Sequence, residues 1–108
     1  MTLILPPASV IRVSRGDFDP ARFAEVDRMT RDTSTYLVPA ISRLSGLAAY
    51  FAGASPTGSM VHISIWESDA QAQQMGSLKE MVVNARGDAE EVGVGFAPIV
   101  NYPIAWHI

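Results

Sequence analysis

From Ser9 to Arg15 the chain alternates, with Val10, Arg12 and Ser14 on one side and Ile11, Val13 and Arg15 on the other. A period of two is what a strand with one buried face requires, so a first strand is expected over residues 9–15. Asp19 before Pro20 then reads as an N-cap followed by the one helical position where proline loses nothing, with Phe18 able to staple onto Phe23. Phe23, Val26, Met29 and Thr33 recur every three to four residues. Arg22, Glu25, Asp27, Arg28, Arg31 and Asp32 fall mainly elsewhere, so this is an amphipathic helix. Asp32-Thr33-Ser34-Thr35 competes for backbone hydrogen bonds, and Pro39 disfavours the helical conformation at Val38, which predicts a break. A short second helix is expected beyond it, with Ala40, Ile41 and Leu44 buried and Gly46 as its left-handed cap.

Residues 47–54 read as a second strand and 60–66 as a third. Ser55-Pro56-Thr57-Gly58-Ser59 between them has the composition of a hairpin loop, which makes the two strands antiparallel neighbours. Ser68-Asp69-Ala70-Gln71 fits a capping box, and Met75, Leu78, Met81, Val82 and Ala85 form the apolar stripe of the helix it opens. Gly87 and Asp88 are expected to interrupt that helix, with Asp88-Ala89-Glu90-Glu91 capping one more short turn before Gly93 and Gly95. From residue 99 to 108, Val100, Tyr102, Ile104, Trp106 and Ile108 lie opposite Asn101, Ala105 and His107. That pattern is a fourth strand, in which Pro103 argues for an edge or a bulge.

The order β-α-β-β-α-β with a central hairpin is the split βαβ, ferredoxin-like arrangement of the α+β class: a four-stranded antiparallel sheet with its helices on one face. The other sheet face is left bare. The third strand carries Val61, Ile63 and Ile65 on one side and Met60 and Trp66 on the other, so either side is apolar enough to bury against a second copy. A homodimer joined sheet to sheet is therefore expected, with the choice of face left open.

Composition narrows the function. The 108 residues are 48% hydrophobic and 18% charged, enough for one folded domain over 1–108 and too apolar for disorder. Eight Lys and Arg against eleven Asp and Glu, with no basic cluster, argue against a nucleic-acid partner. The absence of Cys excludes disulfides, thiolate metal sites and a Cys nucleophile. The apolar start ends at Pro6-Pro7, short of a signal segment or a spanning helix, so no membrane association and a cytoplasmic location are expected.

Two strings, Leu44-Ser45-Gly46-Leu47 entering the second strand and Ile63-Ser64-Ile65-Trp66-Glu67-Ser68 leaving the third, resemble the dimeric α+β-barrel proteins of the antibiotic biosynthesis monooxygenase type. The resemblance covers most of the chain in element order. It implies a pocket between sheet and helices and a choice among cofactor-independent oxygenases of aromatic polyketides, quinol oxygenases and haem-degrading enzymes. In the haem-degrading branch it implies an Asn on the first strand, a Trp ending the third and a His on the following helix. Only Trp66 matches, because the first strand offers Arg12, Ser14 and Arg15, and the helix reads Gln73-Gln74-Met75-Gly76-Ser77.

His62, Ser64 and Trp66 share one side of the third strand. If that side meets the helices, His62 can remove the proton of a phenol or quinol, the anion can react with oxygen directly, and Trp66 can stack on the ring. Against this stands the ordinary role of such residues, a hydrogen-bonded structural histidine and a core tryptophan. Tyr50 and Ser64 are candidate hydrogen-bond partners of a substrate, and Met75 is a soft apolar wall whose usual role is core filling. Arg12 either enters the pocket or pairs at its rim. His107, near the C-terminus, is a lesser candidate. Neither His has a carboxylate at ligand spacing, so no metal is expected, and no motif asks for an organic cofactor. Two functions follow: oxidation of an aromatic or quinol small molecule without a cofactor, or a non-catalytic small-molecule-binding or accessory homodimer.

Overall fold

A computed structural model describes residues 4–108. Strand β1 (Val10–Asp17) leads through a 3-10 turn, Pro20–Arg22, into helices α1 (Phe23–Asp32) and α2 (Ser34–Ser42). Strands β2 (Leu47–Ser55) and β3 (Ser59–Trp66) form the hairpin. A broken helical segment follows: α3 (Asp69–Ala72), a 3-10 stretch (Gln73–Ser77), a π-helix (Glu80–Ala85) and α4 (Arg86–Glu91). Strands β4 (Gly95–Phe96) and β5 (Val100–Pro103) close the sheet.

All pairings are antiparallel in the order β2-β3-β1, with β4 and β5 side by side along the far edge of β1. This is the ferredoxin-like α+β fold that the element order predicts. The N-cap forms as expected, with the Asp19 carboxylate accepting from the Ala21 N–H at 2.9 Å. Gly58 takes φ +101° in the hairpin turn and lies so close to the Phe18 carbonyl that an added Cβ would sit 2.6 Å from it.

Three local readings change. The break in the first helical region falls at Thr33, but α2 then runs through Pro39. Burial of Leu37, Ala40 and Ile41 against the sheet outweighs the backbone hydrogen bond that proline removes. In the second region Gly87 and Asp88 do not interrupt. The break is at Leu78, which is extended at φ −79° and ψ 110°, and the Asp88 carboxylate accepts from the Tyr36 hydroxyl at 2.7 Å instead of capping a turn. The expected strand over 99–108 is confined to Val100–Pro103, because β1 has only Val10 to Val13 left to pair with it.

Register decides the faces. Met60, His62, Ser64 and Trp66 of β3 lie level with Gly16, Ser14, Arg12 and Val10 of β1, on the side the helices cover. Two apolar clusters form there. One, at the Trp66 end, contains Val10, Leu37, Ile41, Trp66, Ala72, Met75 and Ala85. The other, at the Met60 end, contains Phe18, Val26, Met60, Ala89 and Val94. The rows of Arg12, Ser64 and Tyr50, and of Ser14 and His62, cross the sheet between the two clusters. The opposite face carries Ile11, Val13, Phe51, Val61, Ile63, Ile65, Val100 and Tyr102, with Phe51 61% exposed. Among the described residues no helix is long and apolar enough to cross a membrane.

Candidate functional site

Where the two apolar clusters part, the sheet and helices enclose a cavity of about 360 Å³. Its floor is Arg12, Ser14, Met60 and His62, projected from alternate positions of two adjacent strands. Its roof comes from Met29 and Thr33 of the first helical region and from Met81, Val82 and Ala85 of the π-helix. Arg86, Ala89, Phe96 and residues 97–99 complete the wall, and the Arg86 guanidinium lies 5.2 Å from the centre of the Phe96 ring. A π-turn is wider than an α-turn and recurs at functional sites, and here it forms the roof over the floor residues.

His62 also borders a second cavity of about 290 Å³, lined by Thr30, Thr33, Leu37, Ile41 and Tyr50. The Tyr50 hydroxyl and His62 Nδ1 are 2.7 Å apart, with the rings edge to face at 85°. Burial pushes the His62 imidazole down to about 4, so it is neutral at physiological pH. Burial likewise raises the Tyr50 phenol well above its ordinary value, against a smaller opposing pull from Arg12. The pair is therefore uncharged, with the proton between them placed by the histidine tautomer.

Arg12 is 8% exposed, and burial lowers its pKa from the ordinary arginine value, but a guanidinium remains charged across the physiological range. The ion pairs among the described residues are Arg15–Asp17, Arg22–Glu25, Arg31–Asp27 and Arg43–Glu80, so Arg12 has no carboxylate partner there. Nor does its side chain make a hydrogen bond within that set. Among the fully occluded side-chain nitrogens and oxygens of the described residues, the one without a partner is Asn101 Oδ1, on the β5 residue level with Arg12.

The residues singled out by sequence thus divide. Arg12 and His62 line the larger cavity, and Tyr50 lines the smaller one and holds His62. Trp66 and Ser64 are on the side that the helices cover but lie within the core, where the fully buried indole N–H donates to Ser64 Oγ at 2.8 Å. Met75 is packed in the same cluster, 1% exposed. Neither cavity includes these three, because the Trp66 cluster closes over them. His107 is exposed on the tail. Sequence reasoning placed Thr33 on a helical stripe only, and it missed Arg86, the first residue of α4, and Phe96, in the two-residue strand β4, since neither belongs to an apolar periodic face. Met29 and Met81 were visible as apolar stripe positions, without a sign that their stripe borders a void. No group of three or more His, Asp or Glu side chains that could hold a metal occurs among the described residues.

Fold and site together define an α+β protein of the ferredoxin-like class with a cavity between its two layers. No protein-family profile matches the sequence, and no curated protein sequence does. Solved structures do. A dimeric ferredoxin-like protein from an uncultured marine organism is similar with a TM-score of 0.70 and 11% identity, over 94% of this chain and 91% of that one. A presumed antibiotic biosynthesis monooxygenase from Caulobacter crescentus is similar with a TM-score of 0.68 and 16% identity, over 93% and 92%. The cofactor-independent oxygenase SnoaB from Streptomyces nogalater is similar with a TM-score of 0.61 and 13% identity, over 94% and 97%. The chain has the fold of the antibiotic biosynthesis monooxygenase and dimeric ferredoxin-like proteins, as the two sequence strings imply.

Proposed function

We propose that this protein binds a small aromatic molecule in the cavity between sheet and helices and oxidises it with dioxygen, without a metal or organic cofactor. The reading rests on one observation: a desolvated histidine, fixed at Nδ1 by a half-buried tyrosine, borders a mostly apolar cavity. The His62 nitrogen not engaged by Tyr50 is the proton acceptor. When it takes a proton from a ring methylene or phenol, Nδ1–H donates to the Tyr50 oxygen and stabilises the imidazolium. The substrate anion passes one electron to dioxygen, the radical pair joins at carbon, and loss of water leaves a carbonyl. The methylene and dioxygen are thereby converted to a carbonyl and one water.

The working unit is a homodimer joined through the bare face of Ile11, Val13, Phe51, Val61, Ile63 and Ile65, the larger exposed apolar surface of the sheet. Trp66 does not serve as the stacking platform, since its ring is enclosed in the core. That same enclosure favours the second reading, a binding protein without turnover, because it removes one aromatic contact on which an oxygenase could rely.

Oxygen consumption with soluble anthrones and quinols separates the two. Turnover by the wild-type protein, with kcat lowered about a hundredfold or more in His62→Gln at unchanged melting temperature, supports the oxygenase. Ligands that bind and stabilise the protein without consuming oxygen leave the binding protein as the function.

A further inference from the structure

We infer that the cavity ligand is an anion: a compact planar aromatic acid whose carboxylate or phenolate oxygen is held by Arg12 while its ring lies among Met29, Met60 and Met81. This rests on the reading of the cavity as the ligand site and specifies what that site selects. Acidic residues outnumber basic ones in the sequence, yet the cavity lining includes two arginines, Arg12 and Arg86, and no Asp or Glu. Chance placement does not favour that distribution. The acidic side chains gather elsewhere, with Glu25, Asp32, Asp88 and Glu91 around a separate open hollow between the first helices and α4.

A cation removed from water is ordinarily retained only with a partner charge and hydrogen bonds that replace its hydration. Arg12 is 8% exposed and has neither among the described residues. Of its polar neighbours across the sheet, Ser64 Oγ accepts the Trp66 N–H and the Tyr50 hydroxyl is held by His62, while the Asn101 amide oxygen, level with Arg12 on β5, lies without a partner and makes no bond to the guanidinium. The guanidinium nitrogens are not sealed in, since they are absent from the fully occluded unpartnered atoms, so what they meet is the cavity. A planar five-donor group in that position matches an oxyanion in two-point geometry, which a neutral ligand cannot offer. Arg86, held against Phe96 at the cavity wall, adds a second positive charge to the lining. The volume of about 360 Å³ lies at the low end of small-molecule sites and has room for a compact aromatic acid of two or three fused rings.

The test compares naphthoate with naphthylmethanol, which share a ring and differ in charge, by isothermal titration of the full chain. Naphthoate should bind about tenfold more tightly, equivalent to about 1.4 kcal/mol. Arg12→Met should bring the two to within about twofold of each other, and Arg12→Lys should keep part of the difference by retaining charge without the fork. Melting curves establish that each variant is folded, and the wild-type comparison stands even if neither is. Equal binding of the two probes by the wild-type protein overturns the inference and leaves the cavity as a ligand site. Absence of binding by both removes the cavity reading and the inference with it.

Discussion

Replacing Ser64 by alanine tests whether Trp66 is core rather than cavity wall. Ser64 Oγ accepts the Trp66 N–H at 2.8 Å, and the two residues are 2% and 0% exposed, so no water can take the hydroxyl's place. Ser64→Ala removes one small atom from a packed site and strands a buried donor, which costs about 1–3 kcal/mol. For a domain of this size about 2 kcal/mol lowers the melting temperature by roughly 8–16 °C at fixed protein concentration. The same substitution made in a Trp66→Phe background has no donor to strand and should cost under about 0.5 kcal/mol, giving a coupling of about 1–2 kcal/mol. Urea unfolding followed by circular dichroism reads all four corners of the cycle, with an unchanged m-value as the check that both states are comparable. In Trp106→Phe, which removes the 78% exposed indole, the remaining Trp66 emission should resist acrylamide. A Ser64→Ala protein as stable as wild type, or a Trp66 readily quenched, would show that the indole is open to the cavity and would return it to the ligand site.

Three further outcomes follow from the same structure. The His62 imidazole, held near 4 when folded against 6.5 as its ordinary value, binds its proton later than the unfolded chain does on acidification. Its contribution is therefore complete above about pH 6.5 and is lost as pH falls toward 4; urea midpoints should drop over that window in wild type and drop less in His62→Gln, and parallel curves would refute the assignment. Gly58→Ala places a side chain at φ +101° against the Phe18 carbonyl and should destabilise by more than about 1 kcal/mol, whereas Gly53→Ala, with open space around its Cβ, serves as the control in the same unfolding assay. Ile63→Asp puts a charge in the middle of the bare sheet face, so light scattering should show a folded monomer where wild type is a dimer; a wild-type monomer, or an unaffected dimer, would move the interface elsewhere.

Much of the fold was legible because its signals are local and agree with one another. Alternation over Val10 to Arg15, the Asp19-Pro20 cap and the Ser55 to Ser59 turn residues each specify backbone conformation within a few positions, and their order leaves the split βαβ arrangement as the consistent topology. The helical breaks were less legible. Asp88 looks like a cap from its neighbours in sequence, but its partner, Tyr36, is 52 positions away, and a contact of that range has no local trace. Pro39 looks like a helix end until the buried stripe on either side of it is placed against the sheet.

The sequence by itself determined the fold class, that His62, Ser64 and Trp66 share one side of their strand, and the absence of cysteine chemistry, because composition and period-two geometry depend on nothing distant. Only the tertiary structure decided which of those residues meet open space. Strand register sets Arg12 level with Ser64 and Ser14 level with His62, the π-turn sets the roof above them, and the Trp66 cluster closes over Ser64 and Met75 while the cavity opens beside Arg12 and His62. A void is where packing stops, and where packing stops is settled by the fit of side chains from distant elements, a property no single stretch of sequence carries.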